Sequence, residues 1–120
     1  MADPDPMELG NAAFSAGRFA DAAAHYEAAV RASGPADDTG AADLHENLGI
    51  AYWSLGRWRP AIRAFLRALD GDLTSREQSL RLLVSCCFRD GLALDGERLL
   101  GVYTEHFGPH PEGWTRHASC

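Results

Sequence analysis

The stretch LGNAAFSAGRFADA at residues 9–22 occurs again in altered form as LGIAYWSLGRWRPA at residues 48–61. An offset of 39 residues aligns the two stretches with seven identical positions. The match continues downstream, where Tyr26 and Phe65 correspond and Ala29 aligns with Ala68. Aromatic and small positions thus keep one spacing through both copies, which is typical of a chain built from internal repeats.

Each copy predicts a hairpin of two helices. A first segment of helical periodicity ends near Gly17 or Gly56, a residue type that suits a helix C-cap, and a second begins within about four residues. Pro60 falls in the first turn of its helix, where its missing N–H group costs little. Small residues are expected where two backbones approach closely, with aromatic side chains filling the remaining space. The small residues are Gly10, Ala22, Ala29, Gly49, Ala61 and Ala68.

The rest of the chain predicts a third, degenerate hairpin. Residues 79–88 and 94–107 have helical spacing, and Gly91 lies at the turn between them. A stack of hairpins needs about three units to be stable, and its terminal units are usually atypical. Residues 33–40, between the first two copies, are rich in turn-forming residue types and predict a connecting loop.

The shared spacing resembles the tetratricopeptide repeat, a helical hairpin of about 34 residues. The resemblance implies an all-α, right-handed superhelix of three stacked hairpins, with repeats at about 3–36, 42–75 and 76–107. It makes residues 1–107 one repeat domain and residues 108–120 a Gly- and Pro-rich tail. Because the first helices of such an array form its concave wall, the resemblance also implies a groove for a protein or peptide partner.

By resemblance, that groove is lined by side chains from the first helix of each repeat. Aromatic groups there can bury area on a ligand, and asparagine can donate to and accept from a peptide backbone. An alternative is that Phe14, Trp53 and Phe88 pack between neighbouring hairpins. The expected groove residues are Met7, Asn11, Phe14, Ser15, Glu46, Asn47, Ile50, Trp53, Ser54, Arg81, Leu82, Ser85, Phe88 and Arg89.

Asn11 and Asn47 also match two positions of the carboxylate clamp with which some tetratricopeptide proteins hold the acidic tail of heat-shock chaperones. At the other positions of the clamp, this sequence departs from the family pattern. Met7 stands where a lysine is needed, and Glu77 stands where a second lysine should precede Arg81. A tail carboxylate would lose two cations and meet an acid, so the sequence disfavours this ligand.

Composition and charge exclude several classes of protein. With 46% apolar and 23% charged residues, the 120-residue chain fits one compact domain. Its apolar runs are far shorter than the roughly 18 residues of a membrane span, and its N-terminal segment is acidic where a signal peptide is basic. A net charge of -6 disfavours nucleic-acid binding, and the three cysteines form no disulfide framework. We therefore expect a cytoplasmic protein without nucleic-acid or membrane partners.

The charges are unevenly distributed along the chain. Residues 1–47 hold nine acidic residues and two arginines, whereas residues 48–89 hold seven arginines and three acidic residues. Arg59, Arg63 and Arg67 recur every fourth residue and so line one face of the second helix of repeat two. That row predicts a solvated surface or, alternatively, a contact with an acidic patch on a partner such as another copy of this chain.

The sequence carries no Gly-x-Ser-x-Gly elbow, no phosphate-binding Gly-rich loop and no His-Glu-x-x-His pair. We therefore predict a protein that is not an enzyme and uses no cofactor. His25 and His45 are expected to be surface or packing residues, and Cys86 and Cys87 are expected in the core. A rival interpretation is a metal site near the C-terminus, formed by His106, His110, His117 and Cys120.

The last predicted helix carries more apolar residues than any following element can cover. Trp114 folding back, self-association through this last repeat, or continuation of the array in a longer protein would each cover them. Residues 103–108 are similar to the segment that joins repeats to the catalytic part of bacterial glycosyltransferases of the O-linked N-acetylglucosamine type, so a substrate-recognition arm is an alternative function. The apolar residues are Leu94, Leu99, Leu100, Val102, Tyr103 and Phe107.

Overall fold

The computed structural model describes residues 5–33 and 41–109, which form six α-helices and no strand. The helices are α1 (Pro6–Ser15), α2 (Phe19–Ser33), α3 (Ala41–Ser54), α4 (Trp58–Leu69), α5 (Glu77–Arg89) and α6 (Ala93–Phe107). They pair as three hairpins, so the predicted all-α stack is confirmed. Most of the predicted loop and of the C-terminal tail lies outside the described residues, and the repeat boundaries stay predictions.

The same turn joins the two helices of every hairpin. In each, a backbone N–H donates to the carbonyl oxygen five residues earlier, and the residue before the donor is a glycine with a positive φ of 77°, 73° or 81°. Glycine adopts this conformation without the steric cost that a Cβ imposes. The donor and acceptor pairs are Arg18 and Ala13 at 2.9 Å, Arg57 and Tyr52 at 3.0 Å, and Leu92 and Cys87 at 2.8 Å. The third hairpin therefore keeps the repeat's turn although its sequence has diverged.

An aromatic ring covers the central glycine of each of the first two hairpins. A Cβ built on Gly10 would lie 2.6 Å from the ring of Tyr26, and one built on Gly49 would lie 2.7 Å from the ring of Phe65. The space beside these glycines is thus filled by a ring of the second helix, and the close approach is between that ring and the first helix. In the third hairpin a similar contact joins a ring on α5 to a glycine on α6, because a Cβ on Gly96 would lie 3.1 Å from Phe88.

The hairpins stack into an array of 52 × 28 × 20 Å. Each helix packs on the next helix in the chain, and α3 also contacts α5 directly. Within the described residues, contacts between α2 and α4 are sparse. The first helices α3 and α5 are therefore in closer contact than the second helices α2 and α4, whereas contacts between α1 and α3 are also sparse. We call the side of α1, α3 and α5 the inner face and the side of α2, α4 and α6 the outer face.

The core runs through all three hairpins and includes the two adjacent cysteines of α5. Cys86 and Cys87 are free and buried, as predicted, and we call them the α5 thiol pair. Burial raises the pKa of the Cys86 thiol to about 12 and that of the Cys87 thiol to about 11, because a thiolate loses its hydration inside the protein. Both groups are therefore protonated at neutral pH.

The last helix is only partly covered. Leu99 and Tyr103 are buried against the rest of the domain, whereas Leu94 is 84% exposed. Coverage of this surface by a tail or by another chain stays a prediction. No helix of the described segments is long and apolar enough to span a bilayer.

Candidate functional site

The inner face carries the residues that the sequence placed in a groove, but several of them already have partners. In α1, the Asn11 Oδ1 atom accepts a hydrogen bond of 2.7 Å from the hydroxyl of Tyr26. Tyr26 is 1% exposed, and its burial raises the pKa of the phenol. Phe14 packs edge-to-face on Phe19 with ring centroids 5.3 Å apart, and half-buried Met7 packs against the core. The Asn11 carbonyl and the Phe14 ring therefore stabilise the first hairpin.

A polar cluster connects α3 to α5 at one end of the inner face. Glu46 accepts a hydrogen bond of 2.6 Å from the fully buried Ser79 hydroxyl through its Oε2 atom. Its Oε1 atom lies 3.4 Å from Nη1 of Arg76, and the same Nη1 lies 2.7 Å from Oδ1 of Asp43. The Glu46 carboxylate is thus neutralised within the chain, and it fixes the register between the second and third hairpins.

A second set of contacts connects α3, α4 and α5 at the opposite end of these helices. The indole Nε1 of Trp53 donates to Oγ of Ser85 at 3.5 Å, and Nε of Arg89 donates to the same oxygen at 3.2 Å. The Arg89 guanidinium lies 5.1 Å from the ring centroid of Trp58, a cation–π distance. Ser85 and Phe88 are 7% and 6% exposed, so they offer little surface to a ligand.

Arg81 is held by a neighbouring acid on its own helix. Its Nε atom lies 3.0 Å from Oε2 of Glu77, one turn earlier, and the hydroxyl of Tyr103 donates to the same carboxylate oxygen at 2.9 Å. Burial and this contact with Glu77 raise the pKa of Tyr103. Glu77 therefore already pairs with the Arg81 guanidinium that a tail carboxylate would need. This agrees with the sequence, in which Glu77 stands where the chaperone clamp needs a lysine.

The middle of the inner face differs, because one amide there has no internal partner. Asn47 is half-buried on α3, and its side chain makes no hydrogen bond within the described residues. Ile50 and Trp53 follow at helical spacing and are also half-buried. Of the other expected groove residues, Ser15 and Ser54 are exposed and Leu82 is buried.

The outer face contains a cleft that the sequence predicts only in part. The spacing of Arg63 and Arg67 predicts their shared row, but no sequence pattern predicts its association with His45, Tyr52 and Glu27. The Tyr52 hydroxyl donates to Oε1 of Glu27. The Nδ1 atom of His45 is buried without a hydrogen-bond partner, and burial together with the Arg67 charge lowers the pKa of His45. These residues are far apart in sequence, so no local motif predicts the cleft.

Three of the four predicted metal ligands, His110, His117 and Cys120, lie outside the described residues. Within residues 5–33 and 41–109, no group of three or more His, Cys, Asp or Glu side chains is placed to hold a metal ion. His106 is exposed on α6 and stacks edge-on against Phe107.

These observations define an all-α protein built from three stacked helical hairpins. A family model of the tetratricopeptide repeat matches residues 6–73, more than half of the chain, so the protein belongs to the tetratricopeptide repeat family. Repeats of this family generally serve as non-catalytic modules for protein interaction. A search of curated proteins gave no match.

Proposed function

We propose that the protein acts as a non-catalytic adaptor that holds an extended or helical segment of a partner protein on its inner face. The observation that carries this proposal is Asn47, a half-buried carboxamide without a hydrogen-bond partner in the described residues. The Asn47 amide atoms are open to solvent, because His45 Nδ1 is the one buried side-chain N or O atom among the described residues that has no partner. An amide that is both accessible and unpaired, in the middle of the inner face, supports a ligand contact there.

The chemistry of Asn47 suits a peptide backbone. A carboxamide offers both a donor and an acceptor, which are the two groups that an extended chain presents. Binding at Asn47 forms new hydrogen bonds without breaking any described one, whereas a ligand that used the Asn11 carbonyl would first have to displace the Tyr26 hydroxyl. We therefore assign the central contact to Asn47 and a smaller part to Asn11.

Side chains on either side of Asn47 specify the ligand further. Ile50 and Trp53 are half-buried and apolar, so they can pack against one apolar side chain of the partner. Arg89 is exposed at one end of the row and favours a carboxylate or carbonyl group there. The proposed ligand is a segment with an apolar side chain next to exposed backbone groups.

The test uses peptides selected against the whole protein from a displayed random library, with binding mapped by NMR. We expect shifts to concentrate on α1, α3 and α5, including the indole N–H resonance of Trp53. Asn47→Ala should weaken binding of a selected peptide by about tenfold, which corresponds to about 1.4 kcal/mol. The matched control Thr104→Ala removes an exposed polar group from α6 and should leave the affinity unchanged.

Peptides whose shifts map only to α2, α4 and α6 would contradict the inner-face assignment. Equal losses for Asn47→Ala and Thr104→Ala would also contradict it, because the effect would then not depend on the central amide. Urea unfolding of both variants separates a loss of binding from a loss of folding.

The cysteines support a cellular setting for this adaptor. The α5 thiol pair is free and buried and forms no disulfide bond. Its contribution to the fold therefore does not depend on an oxidising compartment. We propose the cytoplasm as its location, and a reporter fusion imaged in the native host tests this.

A further inference from the structure

A cleft of about 410 Å³ opens on the outer face between α2 and α4, with α3 as its floor. Its apolar part consists of buried Leu48 and Ala64 and half-buried Val30 and Pro60. Its polar part consists of Glu27, Arg31, His45, Tyr52, Arg63 and Arg67. The three arginines are exposed, so their charges are accessible from solvent. We call this region the outer cleft.

The arginines of the outer cleft lack the acidic partners that four other arginines of the described segments have. Arg18, Arg59, Arg76 and Arg81 each lie within 4.0 Å of a carboxylate oxygen. Within the described residues, none of the three outer-cleft arginines has such a contact. Glu27 is the one carboxylate among the described lining residues, and it already accepts a hydrogen bond from Tyr52. The outer cleft therefore concentrates positive charge in a protein whose net charge is -6.

A neighbouring depression shows how the stack neutralises such charge elsewhere. It lies along the other side of α4, has a volume of about 310 Å³ and is lined by Arg59, Ile62, Asp90 and Leu92 together with Arg63, which borders both depressions. There, Nε of Arg59 lies 3.0 Å from Oδ2 of Asp90. The outer cleft lacks such a pair within the described residues, so an external anion can supply it.

We infer that the outer cleft is a second docking site, which binds an acidic, extended segment of a partner protein. Arg63 and Arg67 lie one helical turn apart, with Cβ atoms separated by about 6 Å. Carboxylates on alternate residues of an extended chain lie about 6.6 Å apart, which matches that spacing. Arg31 on α2 faces the same segment from the opposite wall.

The lining favours a peptide over a small free anion. Sites for small anions surround the ion with donors, whereas the outer cleft also has an apolar part, formed by Val30, Leu48, Pro60 and Ala64, that can pack against aliphatic parts of a peptide. The overall negative charge does not prevent the contact, because the field of distant charges is screened beyond about 8 Å at physiological ionic strength. The local arginines then dominate the electrostatics of the outer cleft.

The experiment measures binding of a peptide that alternates Glu with Val, with a peptide that alternates Gln with Val as its uncharged counterpart. The Glu peptide should bind the intact protein, weaken with added salt and shift the imidazole resonances of His45. The double variant Arg63→Gln/Arg67→Gln should bind it about tenfold more weakly, as expected from two lost attractions of about threefold each. The control Arg57→Gln/Arg98→Gln makes the same change in net charge outside the outer cleft and should bind within about twofold of the parent.

Glu27→Gln provides a test in the opposite direction. Gln keeps an acceptor for the Tyr52 hydroxyl but removes the carboxylate, so the Glu peptide should bind about threefold more tightly. A gain in affinity cannot result from misfolding. Binding that is unaffected by Arg63→Gln/Arg67→Gln, or that falls equally in the control variant, overturns the proposal.

Other occupants give distinct outcomes. Inorganic phosphate that displaces the Glu peptide at equal concentration would indicate a small-anion site. A dimer that dissociates on adding the peptide would indicate a second copy as occupant. A tenfold gain in affinity for Asp37→Asn/Asp38→Asn would indicate that this chain's own loop competes for the arginines. Each of these results overturns the assignment to a partner segment, and none affects the Asn47 test of the inner face.

Discussion

Replacing Gly49 by alanine tests the central packing contact of the repeat. The added Cβ would lie 2.7 Å, 2.8 Å and 2.9 Å from Cε1, Cδ1 and Cζ of Phe65. Carbon atoms in contact normally lie about 3.5–4.0 Å apart, so the ring would have to move by close to 1 Å. Phe65 is fully buried, and the atoms around it resist that shift.

The expected cost follows from two opposing effects. Overpacking of a buried site costs about 1–3 kcal/mol, while alanine is favoured over glycine in a helix by about 1 kcal/mol. For a contact this short we expect the upper part of that range, so Gly49→Ala should destabilise the protein by about 1–2 kcal/mol. Gly101 on α6 is the matched control, since a Cβ there would meet nothing within 4 Å. Gly101→Ala should stabilise the protein by about 1 kcal/mol.

Urea unfolding followed by circular dichroism measures both changes as shifts in the transition midpoint. A double-mutant cycle measures the energy of this particular contact. Phe65→Leu removes two of the three closest ring atoms, so Gly49→Ala should lower the free energy of unfolding by less in that background. If Gly49→Ala stabilised the protein as Gly101→Ala does, the described packing of the Phe65 ring on α3 would be refuted.

Three further predictions concern individual side chains. Asn11→Ala should destabilise the protein more than Tyr26→Phe, about 1–3 against about 1 kcal/mol in urea unfolding, because it leaves the buried Tyr26 hydroxyl unpaired; equal costs would argue against that hydrogen bond. In a Cys120→Ser background, the α5 thiol pair should not react with a disulfide reagent at about pH 8 until urea unfolds the chain, since both thiols are buried with raised pKa values; rapid labelling of folded protein would contradict their burial. The folded-state pKa of His45 is lowered, so the unfolded state binds protons more readily as the pH falls past about 6.5 and stability declines. His45→Gln should therefore lose less urea resistance than the parent between about pH 7.5 and about pH 5.5, and parallel losses would contradict the shift.

The helices and their turns could be predicted because they depend on local patterns. The glycines that close the hairpins need a positive φ, and this requirement is visible in the sequence as a glycine after each first helix. The third hairpin was recognised by Gly91 and its flanking helical periodicity, and its turn has the same hydrogen bond as the other two. Burial of the α5 thiol pair likewise followed from the apolar helix around it.

The candidate site could be predicted only as a set of positions. Family resemblance indicated which residues of the first helices lie on one wall, but not which of them have internal partners. Asn11 and Asn47 look alike in sequence, yet the carbonyl of Asn11 is engaged by a tyrosine 15 residues away while Asn47 has no described partner. Such pairing depends on side-chain positions across helices, which periodicity does not encode.

The repeat by itself determined that this chain forms helical hairpins, because regular spacing of small, apolar and aromatic residues leaves a helix few other ways to bury its apolar stripe. Only the packed hairpins decided which charges come together in one cleft. Arg31 and Arg67 belong to different repeats, and they line one cleft because α3 holds their helices at a fixed separation. That separation depends on how α2 and α4 pack on α3, and the contact of the Phe65 ring with Gly49 is part of that packing. The local repeat thus sets the units, while their packing creates the surfaces on which a partner can bind.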